Sequence, residues 1–152
     1  MSEISRTAVI PPDPIFAVLA DGWSYASWVV GTSHIRSVDP GWPAVGSQIH
    51  HSVGPWPLVI QDRTEVLASE PNSLLELHAR MWPAGAARIR LTLVPHEGGG
   101  CEVRMAEEIV EGPLRSLPHA AQAALLRPRN TESLSRLLDI AAGRWQDRRS
   151  ST

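Results

Sequence analysis

Hydrophobic and polar positions change their period along this chain, and the changes mark out its elements. From Ile4 to Ile10 apolar and β-branched residues alternate loosely with polar ones, which predicts a first strand stopped by Pro11-Pro12. Asp13 then stands at an N-cap position, Pro14 falls in the first helical turn, and Ile15, Val18 and Leu19 repeat at helical spacing until Asp21-Gly22. A second short helix over Trp23 to Val29 puts Tyr25 and Trp28, three residues apart, on one face before Gly31.

From Ser33 the period is two. Strands are expected over Ser33–Val38, Ser47–Val53, Leu58–Ala68, Leu74–Trp82, Ala87–Val94 and Cys101–Val110, separated by segments rich in glycine, proline and asparagine. The connections are short, and a parallel return needs a crossover of about a dozen residues or more, so neighbouring strands should be antiparallel. Leu75, Leu77, Ala79 and Met81 share one phase, as do Ala87, Ile89, Leu91 and Leu93, while Glu76, His78, Arg80, Arg88 and Arg90 take the other. Beyond Gly112-Pro113 the period lengthens to that of a helix reaching about Trp145. Its apolar stripe is Ala121, Leu125, Leu134, Leu137, Leu138 and Ala141, with a bend or break expected near Leu125–Arg127 because Pro128 cannot donate to residue i−4. Residues 147–152 read as a polar, frayed tail after a single domain spanning 1–146. The class is α+β: an antiparallel sheet that buries one face against the last helix.

Composition narrows the chemistry. With 152 residues the chain suits one domain with a sizeable core. Sixteen acidic and fourteen basic residues give a formal charge of −2 without a basic block, which points away from nucleic acid and anionic lipid. No stretch is apolar for long enough to span a bilayer, no signal peptide is visible after Met1, and the single cysteine, Cys101, suits a reducing compartment, so a cytoplasmic protein is expected. No His-Glu-x-x-His, Cys-x-x-Cys or phosphate-loop motif occurs, so no metal or cofactor is expected.

The order of elements carries a resemblance. Pro14-x-x-x-Val18-Leu19-x-Asp21-Gly22 after the first strand, Trp28 in the second helix, the hairpin at Trp82 and Gly85, and a long last helix with Leu134 and Leu137 resemble the polyketide cyclase/dehydrase branch of the START-like, helix-grip superfamily. The resemblance runs from Ile4 to about Arg144. It implies a curved antiparallel sheet gripping the C-terminal helix, with a ligand cavity between them whose mouth lies near the short helices and the hairpins.

Candidate residues follow from phase and from that layout. Glu107 shares the inward phase of Val103 and Met105, where a desolvated carboxylate becomes a candidate proton donor or acceptor; a β-bulge turning it outward, or a pair with a helix arginine such as Arg127, are the alternatives. His51 faces inward if it follows Ile49 and Val53, and His50 does so if Ile49 belongs to an outer patch; either is a candidate base. Asp62, Met81 and Met105 are inward candidates for ligand contact. Trp23 and Trp28 stand near one end of the implied cavity, as wall or as core, and Trp42 and Trp56 near its mouth. Two functions stay open: binding of a small hydrophobic or aromatic, lipid- or polyketide-like molecule, or a cyclase, aromatase or dehydratase using Glu107 and a histidine. A homodimer is left open.

Overall fold

The computed structural model describes residues 2–53, 60–81 and 85–151, without the side chains of Ser33, Val53, Ile60 and Met81. Seven strands form one sheet: β1 (Ser2–Ala8), β2 (Thr32–Val38), β3 (Gln48–Val53), β4 (Ile60–Glu70), β5 (Leu74–Met81), β6 (Gly85–Pro95) and β7 (Cys101–Glu111). Their order is β1-β7-β6-β5-β4-β3-β2, antiparallel at every contact. Each strand from β3 onward pairs with its sequence neighbour, as short turns require. Only β1 crosses the molecule to pair with β7.

Between β1 and β2 lie helix α1 (Pro12–Ala20), a 3-10 turn at Gly22–Ser24 and the short helix α2 (Tyr25–Trp28). The first strand ends earlier than its periodicity suggests, and Ile10 is buried in the core at the turn into α1. That helix starts at Pro12, with Pro11 rather than Asp13 at the N-cap, because a proline at N1 sacrifices an N–H that has no helical partner anyway. Gly85 opens β6 with φ of 116°, and a Cβ there would sit 1.9 Å from the Glu111 carbonyl oxygen. Only glycine allows that approach of β6 to β7.

Helix α3 (His119–Ser150) follows a 3-10 turn at Pro113–Ser116 and packs on β1, β7, α1 and α2. It runs through Pro128 without interruption. Ala124, whose carbonyl loses its partner there, lies on the exposed side, where water can hydrate it. It also continues through residues expected to fray, with Arg148 and Arg149 over the Trp145 ring at 5.7 and 5.9 Å. Its buried phase is Gln122, Leu126, Asn130, Ser133, Leu134, Leu137 and Ala141. Leu125 is 54% exposed, so the first half of the expected stripe is displaced by one residue.

The core has two characters. Under the C-terminal half of α3, Leu134, Leu137 and Ala141 meet Ile15, Val18, Leu75 and Leu91 in a continuous apolar cluster. Under the N-terminal half the buried positions are mainly polar. The outer face of the sheet is ion-paired: Glu76 lies 3.6 Å from Arg88 and 3.0 Å from Arg90, and Arg88 reaches Glu108 at 3.0 Å. Among the described residues no helix is long and apolar enough to cross a membrane.

Candidate functional site

The polar half of the core is built from the inward phases of β3, β4 and β7. On β7 the side chains of Val103, Met105, Glu107 and Ile109 all point in, and the pairing of Glu107 with Ile89 and with Ser2 is in regular register. No bulge turns Glu107 outward. Its carboxylate is 1% exposed and accepts from Arg129, whose Nη2 lies 2.8 Å from each oxygen. The partner is Arg129 and not Arg127, because residues two apart on a helix point to nearly opposite sides and α3 turns positions 126, 130 and 133 inward. Arg127 is exposed, in an outer groove with Ser2, Glu3 and Glu108. A carboxylate buried this deeply needs its cation: removing one partner of such a pair costs about 3–5 kcal/mol.

The histidine pair is resolved by Ile49, which is fully buried and therefore sets the inward phase for His51. His51 is 2% exposed, whereas His50 points outward, 3.9 Å from Asp39. The His51 Nε2 lies 2.9 Å from Thr64 Oγ1, and the same hydroxyl lies 3.2 Å from the Tyr25 OH. Tyr25 stacks on the His51 ring at 5.6 Å and 24°, and meets Trp28 edge-on at 5.6 Å and 69°. Three elements, α2, β3 and β4, thus supply one chain of hydrogen bonds.

Burial decides the protonation states. It pushes the His51 imidazole down to about 4, with Asp62 opposing the shift and Arg36 and His50 adding to it. It also raises the Tyr25 phenol, against its hydrogen bond with Thr64 and the field of Arg129. Both rings are uncharged at neutral pH. The His51 Nδ1 has no partner among the described residues, and neither has the Oδ1 of Asn130, a residue buried to 1%.

A hollow of about 40 Å³ lies here, lined by Tyr25, Val29, Gly31, His51, Ala79 and Arg129 among others. At ~10–15 Å³ per water it takes a few solvent molecules. Ser133 borders the region from the helix side, its Oγ accepting the Val30 N–H at 3.1 Å and tying α3 to the link between α2 and β2.

The remaining candidates fall in several places. Asp62 is inward at the rim, 3.9 Å from Arg80, and accepts the Arg63 N–H. Trp28 and Met105 are core, both 2% exposed, and Met105 sits opposite Leu91 and Ile4 in the middle of the sheet. Trp23 is 61% exposed and forms no wall. Trp42 is core, its indole N–H donating to the Leu19 carbonyl at 3.0 Å. The Met81 side chain, Trp56 and Trp82 lie outside the described residues. Cys101 is fully buried, and burial raises its thiol, so it is no ready nucleophile. Among the described residues no three His, Cys, Asp or Glu side chains are grouped to hold a metal ion. Sequence phase does not single out Thr64, Arg129, Asn130 or Ser133; the four-residue spacing Gln122, Leu126, Asn130, Leu134 is a signal for Asn130 alone.

No protein-family model matches the chain, and no curated protein sequence matches it. Solved structures do. The aromatase/cyclase Zhui from Streptomyces sp. R1128 is 15% identical, with 93% of each chain covered and a TM-score of 0.70. The di-domain aromatase/cyclase StfQ, from the steffimycin biosynthetic pathway, is 18% identical with a TM-score of 0.70; the match covers 98% of this chain and 46% of that one. Ara h 8.0201 is 12% identical, with 93% and 96% covered and a TM-score of 0.67. What is shared at these identities is the fold, and the chain has the START-like helix-grip fold.

Proposed function

We propose that this protein binds a small, largely apolar or aromatic molecule between the sheet and the N-terminal half of α3, with one polar end of the ligand in the hollow beside His51. The observation that carries the reading is that Tyr25, His51 and Arg129 line one hollow, held from behind by Thr64 and Glu107, where apolar side chains would pack more cheaply. Pockets for such molecules occupy about 300–1,000 Å³. The hollow of about 40 Å³ therefore holds the polar end alone, and the body of the ligand extends toward the strand ends at Val53, Ile60, Met81 and Gly85. The likeness to two aromatase/cyclases and to Ara h 8.0201 supports a ligand in this space.

Binding is favoured over cyclase, aromatase or dehydratase chemistry because both Glu107 oxygens are engaged by Arg129 and the carboxylate does not line the hollow. We place the protein in a reducing cytoplasm on its single, free cysteine, Cys101. Native mass spectrometry of freshly purified protein, followed by identification of extracted molecules, tests the proposal. A bound apolar species of a few hundred daltons is expected; protein that emerges empty and binds nothing in a broad hydrophobic screen overturns it.

A further inference from the structure

Resting on that reading, we infer that His51 presents a fixed Nδ1–H to the hollow and that the buried end of the ligand is a carbonyl oxygen, as in a ketone or quinone. Tyr25, Thr64 and neutral His51 carry one mobile proton each and share two hydrogen bonds, both to Thr64 Oγ1. If Tyr25 donates to Thr64 and Thr64 donates to His51 Nε2, both hydroxyl protons are used, and the imidazole proton is on Nδ1. One buried group is then unsatisfied, the Nδ1–H itself. If the chain runs the other way, from His51 Nε2–H through Thr64 to the tyrosine oxygen, the phenol proton and the Nδ1 lone pair are both orphaned. If His51 and Tyr25 both donate to Thr64, the threonine proton and Nδ1 are orphaned instead. The first arrangement leaves the fewest buried groups unmade and fixes the tautomer.

A donor at the hollow selects an acceptor. A carboxylate would be one, but the two guanidiniums that line the hollow each face a carboxylate of the protein: Arg129 gives Nη2 to both Glu107 oxygens and Arg80 lies 3.9 Å from Asp62, so a further anion there would compete with Glu107 or Asp62 for its cation. A hydroxyl would bring a further proton to a place that already has one to spare. A carbonyl oxygen accepts the Nδ1–H and adds neither charge nor donor. Thr64 acts as a positioning residue: it touches no ligand and sets the face that His51 shows.

Nitrogen NMR of ¹⁵N-labelled protein at neutral pH, with His51 assigned by its disappearance in His51→Gln, reads the tautomer directly. Protonated Nδ1 and unprotonated Nε2 are expected. Thr64→Val should release the fixed state and Thr64→Ser should keep it; Nε2–H in the wild type, or an unchanged signature in Thr64→Val, overturns the inference. Binding of 2-acetylnaphthalene is compared with that of 2-isopropenylnaphthalene, its close isostere without oxygen. The ketone should bind roughly three- to tenfold more tightly, and the preference should vanish in Thr64→Val. Equal affinities overturn the carbonyl assignment alone. If neither probe binds, the ligand reading and the carbonyl assignment both fall, while the nitrogen resonances still decide the tautomer.

Discussion

At the scale of the residue, the site is a set of polar groups kept in the protonation states that burial permits. His51 shows the consequence for stability. Unfolded, its imidazole titrates near 6.5, whereas in the folded chain it accepts no proton until about 4. Between those values the unfolded state binds more protons, so stability must fall as pH drops from about 6.5 and level off below about 4. The loss from this one group is at most about 3 kcal/mol. Urea denaturation of wild type and His51→Gln across that range should show the difference between them shrinking toward acid pH; parallel curves would mean that His51 is not held neutral. Cys101 illustrates the opposite case, a buried group with no role in the site.

At the scale of the element, α3 is where sequence and structure part most clearly. Leu134, Leu137 and Ala141 were legible because they bury apolar surface, and the period of such residues is the signal. Gln122, Asn130 and Ser133 were not, since their burial depends on partners that no local pattern reveals: Gln122 Nε2 donates to the Arg115 and Leu117 carbonyls, and Ser133 Oγ accepts the Val30 N–H across the molecule. Leu125 drew the expected stripe one position too early. On the strands the period of two placed Glu107 on its phase and left His50 and His51 to be separated by Ile49, but it could not choose between Arg127 and the arginine two residues on. Pro128 gives the helix its own test. Replacing it with alanine restores a donor opposite Ala124 at a site already helical, so Pro128→Ala should stabilise the protein by about 1–3 kcal/mol, part of the proline's intrinsic cost being offset by its stiffening of the unfolded chain. Thermal unfolding measures this, and a lower midpoint would show that the proline serves the native helix.

At the scale of the whole molecule, the sheet was legible because short connections leave antiparallel pairing as the economical arrangement, while the division of the core into an apolar and a polar half was not, since it arises only when α3 lies across the strands. That division should appear in amide exchange. Amides of residues 123–130, over the polar half, should exchange faster than those of residues 134–141, which rest on the apolar cluster; uniform protection along α3 would contradict it. The pairing of β1 with β7 has a further consequence, for the order of assembly. Ser2 meets Glu107, so this pair closes a loop of roughly a hundred residues, whereas the other strand pairs join neighbours in sequence. On a ribosome the first strand has no partner until β7 has been made, and α1 waits longer still for α3. The residues of β1, made before the rest of the sheet, are thus among the last to find their places, and the carboxylate of Glu107 acquires its neighbours on β1 and α3 only in that final closure.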